Sequence, residues 1–279
     1  MAFCSPYREK NKSCYTLEAL KILANALNKY EKSNIIKTNN KTKQEIWNKI
    51  YHIFKKKCDK KEWCWLDQPF IKKNKHFDDL DNLFRPKKPN EWNFNNTEWL
   101  STLDIDNVMD QYEDKYNNFY FFGAIPIDFD KKLYNNSCVS DELCNINIEN
   151  LIKKKINKIG IVFNLDPHDK PGSHWVSLYG DIKDSNFYYF DSYGIYPPKE
   201  VETLMFKLKD QNDKILKKKK TNLYFNDIRH QYKNSECGVY SMYFIIQFLL
   251  GKKFKDIIEN IIFDDEMNDN RNIYYRPNN

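Results

Sequence analysis

NDIRHQYKNSECGVYSMYFIIQFLL, running from Asn226 to Leu250, decides the fold. A polar segment ends at Glu236-Cys237-Gly238 and an apolar run begins at once. From Val239 to Leu250 only Ser241 and Gln247 are polar. The helix this pattern predicts has no face to give to water, so it must lie centrally in a domain. Gly251, Lys252 and Lys253 then stop it and set cations at the negative end of the dipole. At roughly 12–14 residues it is too short to span a bilayer, which takes about 20. Cys237 therefore falls at the N-terminus of a buried helix, where unpaired N–H groups and a partial positive charge favour thiolate over thiol.

Partners for a nucleophile stand upstream. Gln231 lies in a loop that must end close to Cys237, where its amide can donate to an oxyanion. His174-Trp175 opens the apolar strand pattern HWVSLY, and NFYYF (186–190) runs into Asp191-Ser192-Tyr193-Gly194. The chain order is His, Asp, Gln, Cys, the reverse of the papain-like order with cysteine first. The residues by themselves leave a bland alternative open, a small buried cysteine with no chemistry.

The set HW, a strand ending in DS, and Q with ECG following it resembles the ubiquitin-like-protein-protease and adenain clan of cysteine proteases. Within that clan, IRHQYKNSECGVYSMYFI is similar to the viral polyprotein-processing proteases typified by that of African swine fever virus. EWLSTLDIDNVMDQYEDKY and FYFFGAIPIDFD resemble the same viral group. The resemblance runs from about Glu98 to the C-terminus. It implies an α+β, papain-like/adenain-like fold, with the catalytic cysteine at the start of a central helix packed on a mainly antiparallel sheet. A helical N-terminal arm would precede it.

Composition sets outer bounds. A hydrophobic content of 41% with 16% aromatic residues is enough for a core, which excludes wholesale disorder. A net charge of +6 permits weak nucleic-acid contact but falls short of a dedicated binder. The lysine runs Lys55–Lys57 and Lys217–Lys220 fall at the ends of predicted helices, where they compensate the dipole. Seven cysteines form no C-x-x-C and the five histidines are scattered, so no metal site and no cofactor are expected. MAFCSPYREKNK has no apolar signal core and no stretch is apolar enough to span a membrane. A reducing cytosol is the expected compartment, with Cys138 and Cys144 as ordinary thiols.

Residues 1–91 read as the helical arm and 92–279 as the protease domain. In the arm, Leu17, Leu20, Leu23, Ala24 and Leu27 make one stripe over Thr16 to Tyr30. Thr42-x-x-Glu45 is a capping box, followed by Ile46, Ile50, Ile53 and Phe54. Trp63 and Trp65 belong to the arm's own core, and His52 and His76 read as structural. Two prolines near Arg85–Asn90 mark the boundary. Beyond it, a helix is expected from Asp106 to Asn117 and an apolar strand-like run from Phe119 to Phe129. Residues 131–157 carry no clear pattern. Strands at 158–165, 173–179 and 186–190, joined by turns, predict an antiparallel meander that brings His174 and Asp191 to one edge. A helix from Pro198 to about Leu216 follows, then a strand at 221–226. After the central helix come a short helix over 254–263 and a polar tail.

The resemblance implies roles for these positions. Cys237 would attack a carbonyl, His174 would act as base and then acid, Asp191 would orient the imidazole, and Gln231 would donate to the oxyanion. An asparagine can take the orienter's place in viral members; Asp191 here is similar to the ubiquitin-like-protein proteases. His168 and His230 are rival histidines, the first in a proline-flanked turn and the second without a partner for its far nitrogen. Trp175 would roof a channel that admits residues without a Cβ, predicting cleavage after a Gly-Gly-like motif. Trp99 is expected to line the substrate cleft or to anchor the core. The partner implied is a protein: a viral structural precursor cut during virion maturation, in the virion and at the assembly site in host cytoplasm. A deconjugating isopeptidase acting on ubiquitin-like modifiers is the second reading, and a catalytically silent binding protein the third.

Overall fold

The computed structural model describes residues 3–8, 13–217 and 220–278. Parts of the amino-terminal segment and Lys218 and Lys219 of the second lysine run lie outside them. The chain divides into two compact units, Met1–Pro89 with Tyr274–Asn279, and Asn90–Ile273.

In the first unit the amphipathic stripes form helices. The Thr16 side chain accepts from the Ala19 amide and opens α1 (Leu17–Tyr30), burying Leu20, Leu23, Ala24 and Leu27. Thr42 and Glu45 close a reciprocal capping box at the start of α2 (Lys43–Cys58), whose Ile46, Ile50 and Phe54 are buried while Ile53 faces out. A 3₁₀ turn at Glu62–Asp67 sinks Trp63 and Trp65 into this unit's core, where Trp65 stacks on Tyr15 at 5.3 Å. Two short helices, α3 (Pro69–Lys72) and α4 (Phe77–Asp81), complete it. The tail from Tyr274, expected with the second domain, belongs here: the Arg276 amide donates to the Pro86 carbonyl at 2.8 Å.

The cysteines correct the sequence reading. Cys4 bridges to Cys14, Cys58 to Cys64 and Cys138 to Cys144, which leaves Cys237 as the free thiol among the described residues. Cys138 and Cys144 are thus not ordinary thiols. Each pair is close in sequence, 10, 6 and 6 positions apart, so a local turn suffices to bring the partners within bridging range.

The second unit begins with a 3₁₀ turn at Asn90–Asn93, and its first α-helix is α5 (Thr102–Lys115). It starts ahead of the expected Asp106 because Ser101 and Asp104 form a capping box that the sequence reading passed over. Next come β1 (Phe119–Pro126), α6 (Asp141–Cys144) and α7 (Ile148–Lys153). β2 (Lys158–Asn164), β3 (Trp175–Asp181) and β4 (Asn186–Phe190) then make the antiparallel meander. α8 (Lys199–Ile215) leads to β5 (Asn222–Phe225), and α9 (Cys237–Leu249) is the central helix. α10 (Phe254–Glu259), α11 (Asp264–Asp269) and α12 (Arg271–Tyr274) fill out the stretch read as one helix and a polar tail. The sheet order is β1-β2-β3-β4-β5, antiparallel through its centre and parallel at both outer pairings. No helix of the described residues is long and apolar enough to cross a membrane.

Strand alternation gives the sheet two apolar faces. One carries Ile159, Ile161, Phe163, Val176, Leu178, Phe187 and Tyr189, covered by Val201, Leu204, Met205 and Leu208 of α8 and by Leu151 of α7. The other receives α9: Tyr179 of β3 stacks on Phe248 at 4.4 Å, and Phe190 of β4 on Phe244 at 4.7 Å. Two glycines let these layers close. A Cβ at Gly160 would lie 2.8 Å from the Phe119 ring and 3.1 Å from Ile245 of α9. One at Gly180 would lie 2.6 Å from the ring of its cross-strand partner Phe187 and 2.8 Å from Ile159, both fully buried. Overpacking of that kind costs about 1–3 kcal/mol. Gly180→Ala is therefore expected to lower the urea midpoint of the second unit, followed by tryptophan fluorescence and circular dichroism, without changing the chain's cleavage specificity.

Candidate active site

The meander sets the first two residues. His174 immediately precedes β3 and Asp191 immediately follows β4, and these strands run antiparallel, so both residues stand at the same end of the sheet. His174 Nε2 donates to Asp191 Oδ1 at 2.8 Å, with Asp191 almost wholly buried. The carboxylate is itself held. The same oxygen accepts from the Tyr193 amide at 2.8 Å, and the Tyr193 ring stacks on the imidazole at 4.6 Å. Behind it, Asn226 accepts from the Asp191 amide through Oδ1 and donates to its carbonyl through Nδ2, each at 2.9 Å.

With Nε2 committed to Asp191, Nδ1 is the ring nitrogen left for Cys237, whose thiol is close enough to favour the charged ring. Cys237 is the first residue of α9 and 2% exposed. No side chain caps this helix, so its leading N–H groups are left for whatever binds beside the sulfur. Leu100 seats the first turn, its side chain reaching the space where Gly238 lacks a Cβ, at 3.0 Å.

Gln231 lies in the loop between β5 and α9. Its amide and that of His230 both donate to the Ser192 carbonyl, at 2.9 and 2.8 Å. The Ser192 hydroxyl donates to Gln231 Oε1 at 2.6 Å. That contact fixes the side chain and leaves Nε2 buried with no acceptor. A buried donor without a partner is costly in the resting protein and available to an anion.

His174 is the site's titrating group. Burial of the ring opposes its charge, but the hydrogen bond to Asp191, then the bond and charge of Cys237, outweigh it and push the pKa up to about 9. The rival histidines fall away. His230 is buried against the rings of Phe190 and Tyr240, and its pKa is lowered by burial. His168 is exposed and its Nδ1 lies 2.7 Å from Asp128. It lines an open cleft of 540 Å³ beside the site instead.

Trp99, Leu100, Pro126, Gly172 and Trp175 also line that cleft. Trp175 is buried, with Nε1 donating to the Leu100 carbonyl at 3.0 Å, so it ties the cleft wall to the loop that seats Cys237. Trp99 is 43% exposed, which removes it as a core anchor and keeps it as a cleft residue. Among the described residues no group of three or more His, Cys, Asp or Glu side chains could hold a metal ion. Sequence reasoning missed Ser192, Tyr193 and Asn226. Ser192 and Tyr193 are adjacent to Asp191 and were within reach of it, whereas Asn226 is 35 positions away and carries no motif.

Strand, helix and sulfur in this arrangement are those of an adenain-like cysteine protease. Residues 128–278 match the model of the Ulp1 protease family's C-terminal catalytic domain, and the chain belongs to that family. Over 300 aligned positions it is 34% identical to a protein of Acanthamoeba polyphaga mimivirus named as a thiol protease, covering 99% of this chain and 94% of the relative. It is 30% identical to a cysteine protease of African swine fever virus, over 75% of this chain and 80% of that one. The crystal structure of the African swine fever virus protease superposes with a TM-score of 0.69 at 24% identity, covering 99% of this chain and 96% of the other. The protein is a cysteine protease of the Ulp1 family.

The raised pKa of His174 has a sign that can be read directly. Its folded value, about 9, lies above the ordinary 6.5, so the imidazolium contributes stability in full below pH 6.5. That contribution is lost as pH rises from there through 9. The ring protons of His174, followed by NMR, are expected to titrate near 9. Asp191→Asn or Cys237→Ala should each move the midpoint down, because each removes one source of the rise.

Proposed function

We propose that the protein is an endopeptidase that cuts viral structural precursors after a small-residue, Gly-Gly-like motif during particle maturation, through a His174-Asp191-Cys237 triad. One observation carries the reading: a single imidazole bonded through one nitrogen to a buried carboxylate, with the other nitrogen left for the free thiol at a helix N-terminus. Cys237 attacks the scissile carbonyl as a thiolate. His174, charged at neutral pH, then gives its proton to the leaving amine and afterwards activates water against the acyl-enzyme. Asp191 keeps Nε2–H pointed at itself and stabilises the imidazolium. Gln231 Nε2 and the Cys237 amide take the developing oxyanion; the uncommitted state of that buried Nε2 supports the role.

The cleft wall that Trp175 and Leu100 form next to Gly238 supports selection of residues without a Cβ. The full-length match to a mimivirus thiol protease, arm included, supports a viral precursor as substrate. We place the activity in the virion and at the assembly site in host cytoplasm, and particle surfaces are among the settings where disulfides persist. The second reading, removal of ubiquitin-like modifiers, has one specific support. The African swine fever virus relative carries the name SUMO-1 cysteine protease in several isolates.

Purified protein should cleave capsid-precursor peptides containing Gly-Gly, and Cys237→Ala should abolish cleavage. Gln231→Ala should lower kcat by about 10²–10³ with little change in KM. Activity should fall on the alkaline side as His174 loses its proton near pH 9. Cleavage of ubiquitin-like precursors but not of the capsid peptides would select the second reading. If neither is cut and a thiol-directed probe ignores Cys237, the protease mechanism is wrong.

A further inference from the structure

One cation set against the Tyr193 ring has no part in the mechanism above. Arg229 lies two residues before Gln231, on the exposed surface of the same loop. Its Nε donates to the Gln231 carbonyl at 2.8 Å, which leaves the two Nη groups without a hydrogen-bond partner among the described residues. The guanidinium is held between two aromatic rings, its Cζ 5.4 Å from the Tyr193 centroid and 4.7 Å from that of Tyr232. Tyr193 is the ring that stacks on His174. The loop packs closely on the 191–194 turn: a Cβ at Gly194 would come within 2.9 Å of the Ile228 carbonyl carbon and 3.0 Å of the Arg229 amide.

Among the described residues no acid pairs with Arg229. Nearby Asp264 spends one oxygen on the Tyr232 and Lys233 amides, at 2.9 and 3.0 Å, and is buried. Asp265 is paired with Lys233. A guanidinium clamped by a backbone carbonyl and two rings, with its outer N–H fork open, is pre-organised to take a carboxylate. It is also absent from the walls of the cleft that holds Trp99 and Trp175.

We propose that Arg229 is a specificity-determining residue for substrate, docking an aspartate or glutamate on the side of the scissile bond opposite the Trp99–Trp175 cleft. The inference rests on the protease reading above and gives the substrate a feature that reading lacks. A peptide would leave the cleft, pass His174 and reach Tyr193, where an acidic side chain meets the open fork. The contact is partly exposed, so its contribution should weaken as salt screens it.

The test uses full-length protein and paired peptides that differ only as Glu or Gln, scanned through the positions on each side of a Gly-Gly scissile bond. The wild type should favour Glu over Gln by about tenfold in kcat/KM at one leaving-side position, and less at high salt. Arg229→Gln should bring that ratio close to one, and Arg229→Glu should turn the preference toward a Lys peptide at the same position. Because each ratio is taken within one variant, any disturbance of Gln231 through its carbonyl cancels. Equal cleavage of Glu and Gln peptides by the wild type, a ratio untouched by Arg229→Gln, or acid preference confined to the cleft side would overturn the inference and leave the protease reading intact. Failure to cut any peptide, with Cys237 inert to a thiol probe, would overturn both.

Discussion

An imidazole locked by a buried carboxylate on one nitrogen, with the free thiol of the described residues beside the ring, sets the terms for the rest of the second unit. A buried imidazolium, and the charge that a sulfur nucleophile carries when it reacts, both need fixed groups to answer them. Here the answering groups are few and specific. Asp191 faces the ring, and the open end of α9 faces the sulfur. Most of the remaining architecture can be understood as keeping those two answers in place.

The sheet does this for the histidine and the helix for the cysteine. Antiparallel pairing of β3 with β4 forces residues 174 and 191 to the same end, and the aromatic stack between those strands and α9 sets the helix against that face. Polar connections then lock the two parts together. Asn226 holds the backbone of Asp191 from the end of β5, and Ser192 holds both the backbone and the side chain of Gln231. Each is buried and each joins segments more than thirty positions apart, so loss of either would loosen the site without touching the sulfur.

Much of this could be read before any coordinates. The apolar run after Cys237 identified the central helix because no amphipathic arrangement could accommodate it, and the alternating strands predicted the meander. Other features were closed to sequence reasoning for physical reasons. The parallel pairings at both edges of the sheet join β1 to β2 and β4 to β5 across intervening helices, and no local pattern encodes such a choice. The disulfides needed knowledge of local turns: six and ten positions of spacing are compatible with bridged and with free thiols alike. Ser101 opening α5 is legible as S-x-x-D, but the acidic turn at Asp106 competes with it as a start signal. Asn226 is a residue whose role exists only in three dimensions.

The account stands on the claim that His174 is what makes Cys237 reactive, and one measurement addresses it directly. The rate of alkylation of Cys237 by iodoacetamide near pH 7, followed by mass spectrometry, should be at least about tenfold slower in His174→Ala than in the wild type. Disulfide-paired cysteines should stay unmodified in both. Equal rates in the two proteins would mean that the imidazole does not activate the sulfur, and the mechanism would have to be abandoned.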